Sequence, residues 1–346
     1  MRKWLIGALV LLSLIVPVHA EPFSAPAAPD SAEALVPEQP ETFSEGLATV
    51  LREAVDYLYP AMRAAASSCF GIIVIILLTS LVGNLPGSVQ KVTDLVATIS
   101  IALLLLTQAS ALIHLGADTV REMSEYGKLL LPVMTAAMAA QGSVSSSAAL
   151  YTGTAFFDAL LSGIISSVIV PMLYIFLCLC VASSATGEAI LEKLVGFIKW
   201  SMTWCLKIIL YVFTGYMGIT GVVSGATDAA AIKATKLTIS GMVPVVGGIL
   251  SDASEAVLVS AGLVKSAVGV YGVLVIIALW IRPFIEIGVQ YLMLKVTAGI
   301  CGIFGDKSPV KLIERFSGAM GMLLAMTGSV SVLLMVSVVC LMRGAA

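Results

Sequence analysis

The chain reads SGATDAAAIKATKLTISGMVPVVGGILSDASEAVLVSAGLVKSAVGVYG from Ser224 to Gly272. Six ionisable side chains stand in this stretch among residues that are otherwise apolar enough for a membrane: Asp228, Lys233, Lys236, Asp252, Glu255 and Lys265. A charge in hydrocarbon costs at least a few kcal/mol, so charged residues that persist there usually face protein, water or a partner. The stretch therefore predicts membrane helices that enclose a polar interior.

Composition places the whole chain in a membrane. Its 346 residues are 59% hydrophobic and 12% charged, and the mean hydropathy is +1.04. A soluble domain of this size does not carry so few charges. We therefore expect an all-α, polytopic membrane helical bundle with about 6 to 8 spanning segments and additional re-entrant or interfacial helices. No basic tract indicates a nucleic-acid partner.

Cysteine and histidine usage argues against metal and nucleophile chemistry. The six cysteines stand in apolar surroundings without CxxC or Cys/His spacing, as buried small hydrophobic residues do. His19 and His114 are too few for a zinc site or for imidazole-based catalysis. The Asp, Ser and Lys residues show no nucleophile paired with a base. We expect no enzyme activity, no metal and no cofactor.

The first 63 residues divide into a predicted signal peptide and an acidic extracytoplasmic segment. Residues 1–20 carry Arg2 and Lys3, a short apolar run and a small-residue ending, as cleavable secretory signals do. Residues 21–63 begin as a flexible proline-rich linker and continue from Thr42 as an amphipathic helix that Pro60 should end or bend. Residues 64–346 then form the polytopic membrane domain.

Apolar runs predict the spanning segments. We expect spans near 67–85, 95–115, 148–187, 208–223, 267–281, 284–304 and 318–342. Arg282 and Pro283 separate the fifth of these from the sixth. Asp118 to Lys128 is predicted as a charged loop, and Leu129 to Ala140 as a re-entrant or interfacial piece because that run is too short to span. Residues 141–147 and 306–315 are predicted as loops, and Pro171 should break the 148–187 segment.

A polar stripe lies inside the segment that Pro171 interrupts. Thr154, Asp158, Ser162 and Ser166 recur every fourth residue and therefore share one side of a helix. The stripe is either a polar seam packed against neighbouring helices or the lining of a pore or relay. In the second case Asp158 is the residue whose neutralisation should matter most.

A helix break is predicted inside the opening stretch. Pro244 and Gly247 belong to the sequence PVVGG, which can interrupt a helix within the membrane, and broken helices commonly mark transport sites. Beyond the break, Asp252 and Glu255 lie one turn apart on a shared face. They either line a wet face together with Lys265 or stand exposed on a loop.

The remaining charged candidates are predicted to line a conduit or to contact partners. Asp228, Lys233 and Lys236 lie on one piece of chain, whose lysines can meet acidic partners or lipid headgroups on a surface helix. Glu286 lies within the last but one apolar segment. Lys295 is nine residues further along and so points to the opposite side of that helix.

The same residues resemble the stage III sporulation protein AE family of endospore-forming bacteria. The resemblance rests on VSG at 223–225, PVVG at 244–247, SDA at 251–253, LVK at 263–265 and VG at 268–269, on Asp228, Lys233 and Lys236, and on Pro283, Lys295 and Gly305. The predicted signal peptide, acidic segment and spans also match the family in order over essentially the whole chain.

This resemblance implies a role, a location and partners. Members of the family are thought to be the membrane core of a channel that the mother cell builds across the membranes around the forespore. The implied partners are other stage III sporulation membrane proteins, ring-forming proteins and a motor ATPase, and a homo-oligomer is a further option. The implied location is the mother-cell membrane around the forespore. The alternative function is a stand-alone secondary transporter for small solutes.

Overall fold

Every regular element in the described part of the chain is a helix. The computed structural model describes residues 25–36, 43–82, 87–141, 143–242, 247–304 and 307–343, with side chains for 25–36, 43–81, 92–141, 143–220, 266–303 and 308–342. The helices are α1 (Asp30–Glu33), α2 (Phe43–Val82), α3 (Gly87–Ala140), α4 (Val144–Ile164), α5 (Val170–Thr186), α6 (Ala189–Met242), α7 (Gly247–Phe304) and α8 (Lys307–Arg343). A π-helical turn, Ile165–Ile169, joins α4 to α5. The predicted all-α fold is confirmed.

Six helical segments within the described residues are long and apolar enough to cross a membrane. They are Phe43–Leu81, Val92–Ala140, Val144–Thr186, Ala189–Thr220, Ser266–Ile303 and Ser308–Met342. The chain is thus a multi-pass membrane protein, and the six candidate spans in its described part agree with the predicted 6 to 8. The predicted signal peptide, 1–20, lies outside the described residues. The division into 21–63 and 64–346 stays a prediction.

Two prolines lie inside continuous helices: Pro60, which was expected to end or bend a helix, and Pro283, which was expected to separate two spans. Pro60 is within α2 and Pro283 within α7, so the amphipathic helix and the first span form one helix, and Arg282 and Pro283 separate nothing. A proline removes one backbone hydrogen bond and costs about 3 kcal/mol in a helix interior. Packing on both sides offsets that cost, since Ile281 and Ile287 are both buried in the core of the bundle.

The charged segment expected as a loop, Asp118 to Lys128, is part of α3. Helix α3 runs without interruption through this segment and through Leu129–Ala140, which is therefore the end of a long helix and not a separate re-entrant piece. Charged and apolar side chains alternate around the helix: Asp118, Arg121, Glu125 and Lys128 are exposed, and Val120, Met123, Tyr126 and Leu130 are buried. This pattern has the helical period and stabilises a helix by burying one side.

Other expected loops are also helical. Helix α4 begins at Val144 and α8 at Lys307, so most of 141–147 and of 306–315 belongs to helices. The interruption expected at Pro171 is the π-helical turn immediately upstream, and Pro171 itself stands in the first turn of α5. A proline ring clashes with the carbonyl four residues earlier, and the wider π turn accommodates that clash while the chain stays helical.

Part of the predicted linker is ordered against the bundle. Ala32, Leu35 and Val36 are buried, and the Ser31 hydroxyl donates a 2.6 Å hydrogen bond to Glu122 Oε2 on α3. The expectation of a flexible linker is therefore wrong for residues 25–36. The apolar side chains of this short segment are buried by the neighbouring helices, which offsets the entropy cost of ordering it.

The long helices form two groups that share α3 and α8. Helix α7 packs against α8, α2 and α3, and α8 also packs against α3. Helix α6 packs mainly against α4 and α5, which in turn contact α3 and α8. Polar side chains meet in three places within the described part of the bundle: between α2, α3 and α7, between α3 and α4, and between α5, α6 and α8.

Candidate functional site

Asp158 lies buried where α4 packs against α3. The residue is 3% exposed, and its Oδ2 accepts a 2.7 Å hydrogen bond from Ser124 Oγ on α3. Ser124 is equally buried, and its Oγ is 3.4 Å from Ser162 Oγ on α4. The polar stripe predicted on α4 therefore meets a serine that sequence reasoning missed. The period of the apolar residues around Ser124 is the signal that could have placed it on a buried helix face.

The second carboxylate oxygen of Asp158 is buried without a partner. No hydrogen bond reaches Oδ1 from any residue that the structure describes. An unpaired buried polar atom costs about 1–3 kcal/mol, and more when the group is charged. A carboxylate in such a position has the capacity to take up a proton or to bind a further donor. Asp158 is the candidate residue for which burial and geometry agree best.

The rest of the stripe changes from buried to exposed along α4. Thr154 is fully buried, and its Oγ1 lies 3.9 Å from Met217 Sδ on α6. Ser166, in the π turn, is exposed and donates its hydroxyl to the backbone oxygen of Ser162 at 2.9 Å. The stripe is thus a packed seam at Thr154 and Asp158 and is exposed at Ser166, and the interpretation as a pore or relay lining stays a prediction.

A cavity of about 440 Å³ and another of about 410 Å³ open between helices. The smaller one lies between α2, α3 and α7 and has the more polar wall, to which Gln108, Arg282, Glu286 and Gln290 contribute. Arg282 Nε donates a 2.9 Å hydrogen bond to Glu286 Oε1, and the guanidinium lies 5.7 Å from the centre of the Tyr57 ring. Glu286 is therefore an ion-pair partner at the mouth of this cavity.

An amide network fixes the inner wall of the smaller cavity. Gln108 Oε1 accepts a 2.8 Å hydrogen bond from Gln290 Nε2 and another 2.8 Å hydrogen bond from Ser68 Oγ. These three residues belong to α3, α7 and α2. The lining of the cavity also includes the small residues Ala61 and Ala64 of α2. The network holds the three helices in register and keeps a polar surface inside an apolar bundle.

Among the other charged candidates, Lys295 is the one whose side chain is described. Lys295 is exposed on the outer side of α7. Asp228, Lys233 and Lys236 fall within the helical range of α6, and Asp252, Glu255 and Lys265 fall within α7, which Gly247 begins. Their side chains lie outside the described part of the structure, as does the whole of Pro244. Their assignment to a conduit or to partner contacts stays a prediction.

A charged cluster that sequence reasoning missed joins three helices at one end of the bundle. Lys311 Nζ lies 2.5 Å from Glu192 Oε1, and Arg315 Nη2 lies 3.7 Å from the same oxygen. Arg315 Nη1 also donates a 3.3 Å hydrogen bond to Ser184 Oγ. The cluster connects α8 to α6 and α5. It was hidden because Arg315 was expected in a loop, where no fixed partner can be assigned.

These features define a class of protein. Within the described residues it is a multi-pass α-helical membrane protein that keeps carboxylate, amide and hydroxyl groups between apolar helices. In that part of the chain no group of three or more His, Cys, Asp or Glu side chains could hold a metal ion. The polar groups are organised by packing between helices.

The chain belongs to the stage III sporulation protein AE family, whose model matches residues 35–345. It is similar to the stage III sporulation protein AE of Bacillus subtilis strain 168, with 21% identity over 251 residues. The match covers 72% of this chain and 63% of that relative, so it spans somewhat less than two thirds of the relative's length. No solved structure matches the chain. The chain is therefore a sporulation membrane protein, from a family that is not a known enzyme family.

Proposed function

We propose that this protein is an integral membrane core component of the channel between mother cell and forespore, needed for late forespore development. It acts in the mother-cell membrane around the forespore, together with other stage III sporulation membrane proteins, ring-forming proteins and a motor ATPase. Family membership supports this proposal, since the name of the Bacillus subtilis relative assigns that protein to stage III of sporulation, as for the proposed partners. The alternative of a stand-alone transporter has no structural observation that favours it.

The observation that carries the proposal is a polar stripe along α3. The exposed residues of this stripe alternate in spacing between three and four: Thr107, Ala111, His114, Asp118, Arg121, Glu125 and Lys128. Large hydrophobic side chains are exposed on α3 up to Leu104 and again at Leu129, but nowhere between them. Over these 22 residues, or about 32 Å of helix, the outer surface of α3 suits water or polar groups.

The length of the helices supports the same role. Helix α3 has 54 residues and α7 has 58, which at 1.5 Å per residue is about 81 Å and 87 Å. The hydrocarbon core of a bilayer is only about 30 Å thick. Helices of this length extend beyond the bilayer or cross it obliquely, and both arrangements offer protein partners a surface. A surface of this kind suits a component of a larger assembly.

Co-purification tests the proposal. A tagged copy is cross-linked and purified from sporulating cells, and the recovered proteins are identified by mass spectrometry. We expect other stage III sporulation membrane proteins to be recovered with it. A tagged polytopic membrane protein of unrelated function, purified in the same way, controls for membrane fragments. Recovery of the chain alone, together with solute uptake by the purified chain in vesicles, would show that it is a transporter.

The polar stripe makes a second prediction, about hydration. Thr107→Cys should react with a water-soluble thiol reagent at least about tenfold faster than Leu103→Cys, because thiol reactions need the hydrated thiolate. The two positions are one turn apart and both exposed, but only Thr107 lies on the stripe. Labelling rates are measured in membranes with the exposed Cys178 replaced by serine. Equal rates at the two positions would show that α3 does not border a hydrated path.

A further inference from the structure

The larger of the two cavities is an apolar groove between α6 and α8. Its walls are formed by Met202, Leu206 and Leu210 of α6 and by Met322, Val332 and Met335 of α8. Trp280 of α7 lies at its back, and the π turn contributes Ile169. The segment of α8 from 322 to 335 is about 20 Å long. A single acyl chain crosses one leaflet, about half of the ~30 Å hydrocarbon core, so the groove can hold one chain along its length.

Basic side chains lie at one end and along the edge of this groove. Lys207 lines it and is exposed, and Lys199, two turns earlier on α6, is exposed as well. The Nζ of Lys199 lies 3.4 Å from the position that a Cβ on Gly318 would occupy, so this lysine reaches across to α8 one turn before Met322. Lys311 and Arg315 lie further toward the same end, where Glu192 is their ion-pair partner.

Aromatic residues mark the same level of the bundle. Trp200 and Trp204 are 58% and 46% exposed, on the helix that carries both lysines. Tryptophans collect at the boundary between headgroups and hydrocarbon because their rings are apolar with one polar group. The charged ends of α6 and α8 are therefore placed at the level of the headgroups. Lys199 then lies beside the headgroups, and the groove extends from Lys199 into the hydrocarbon. The stem of Lys207 lets its amine reach up toward the same level.

We propose that this groove binds one anionic phospholipid. An acyl chain lies between α6 and α8, and the ammonium groups of Lys199 and Lys207 hold the phosphate. The groove selects a lipid because its wall is almost entirely apolar, and the two amines select a negative charge. Basic pockets between membrane helices are known to bind anionic headgroups in this way. The proposal goes beyond the channel role and does not depend on it.

Native mass spectrometry of the purified chain in a mild detergent tests the site. Phosphatidylglycerol and phosphatidylethanolamine with identical acyl chains are titrated separately, and the bound fraction is read from the mass of the complex. We expect phosphatidylglycerol to bind at least about tenfold more tightly, since each basic residue near a headgroup contributes about 1 kcal/mol. Equal affinity for the two lipids would overturn the proposal.

Variants locate the site. Lys199→Gln combined with Lys207→Gln should reduce the affinity for phosphatidylglycerol about tenfold and leave the affinity for phosphatidylethanolamine unchanged. Val332 lines the groove and is 50% exposed. Val332→Trp should therefore fill the groove and lower the affinity for both lipids. Lys295→Gln removes an exposed lysine of α7 and should change the affinity for neither lipid. If the lysine variant binds phosphatidylglycerol with unchanged affinity, the lipid lies elsewhere. The same conclusion follows if Val332→Trp binds it with unchanged affinity while its elution volume shows a folded protein.

Discussion

Replacing Asp158 with asparagine should leave the chain folded and abundant in the membrane but lower the yield of heat-resistant spores at least about tenfold. Asparagine has the shape of aspartate, and its amide oxygen can still accept the hydrogen bond from Ser124 Oγ. The substitution removes the charge and the ability to exchange a proton, and it places an NH2 group where Oδ1 stands. If the carboxylate has a functional role in the buried seam, the loss must appear in function and not in stability.

The measurement pairs a spore count with an immunoblot of the membrane fraction. Ser166→Ala is a suitable control, because Ser166 lies on the same stripe but is exposed and bonds only to its own helix. Ser124→Ala is the informative second variant, since it removes the hydrogen bond that the described residues give to Oδ2 and leaves the charge in place. A normal spore yield from Asp158→Asn would show that Asp158 belongs to a packed polar seam and to no conduit or relay.

The unpaired oxygen explains why a functional role is the stronger hypothesis. A seam that served packing alone would be more stable with a residue whose polar atoms are all bonded or with an apolar side chain, because unpaired buried groups are costly. Asp158 keeps one oxygen without a described partner behind the polar stripe of α3. Its hydrogen-bond donor Ser124 is buried on α3, next in sequence to the exposed Glu125 of that stripe.

The class of fold follows from the sequence because hydropathy alone determines it. Long apolar runs with few charges must form helices in a membrane, where backbone groups can bond only within the segment. Helix boundaries were predicted less well, since local signals were outweighed by packing. Pro60, Pro283 and the charged segment at 118–128 each indicated an interruption, and each lies inside a continuous helix. Neighbouring helices bury the other side of these segments and keep them helical.

The candidate site was predictable only where it depends on one helix. The four-residue period on α4 identified Asp158 and its stripe without any knowledge of the partner helix. The partners themselves, Ser124 for Asp158 and Gln108 for Gln290, are 34 and 182 residues away in sequence. No local pattern fixes such pairs, because they depend on how the helices pack. The same holds for Glu192 and Arg315, which meet only when α6 lies beside α8.

Gly153→Ala should lower the free energy of unfolding by about 3 kcal/mol, at the upper end of the range for overpacking a core. A Cβ on Gly153 would lie 1.9 Å from Cε1 and 2.6 Å from Cζ of Tyr216. The ring cannot simply rotate away, because its hydroxyl donates a 2.9 Å hydrogen bond to the Ala149 oxygen and the ring packs 5.8 Å from that of Phe157. Either α6 or the Tyr216 side chain must therefore move.

The midpoint of thermal unfolding in detergent measures this effect. Gly196→Ala is the matched control, since its Cβ would meet nothing within 4 Å and alanine favours a helix over glycine by about 0.5–1 kcal/mol. It should leave the midpoint unchanged or raise it.

A second substitution shows where the strain arises. Gly153→Ala combined with Tyr216→Leu should recover much of the stability that Gly153→Ala loses, since the smaller side chain makes room for the added methyl group. Because Gly153 lies on α4 only five residues before Asp158, a shift of α4 away from α6 would also displace the carboxylate. Gly153→Ala should therefore lower spore yield even at a temperature where it stays folded. Wild-type stability of Gly153→Ala would mean that α4 and α6 are farther apart than this packing requires.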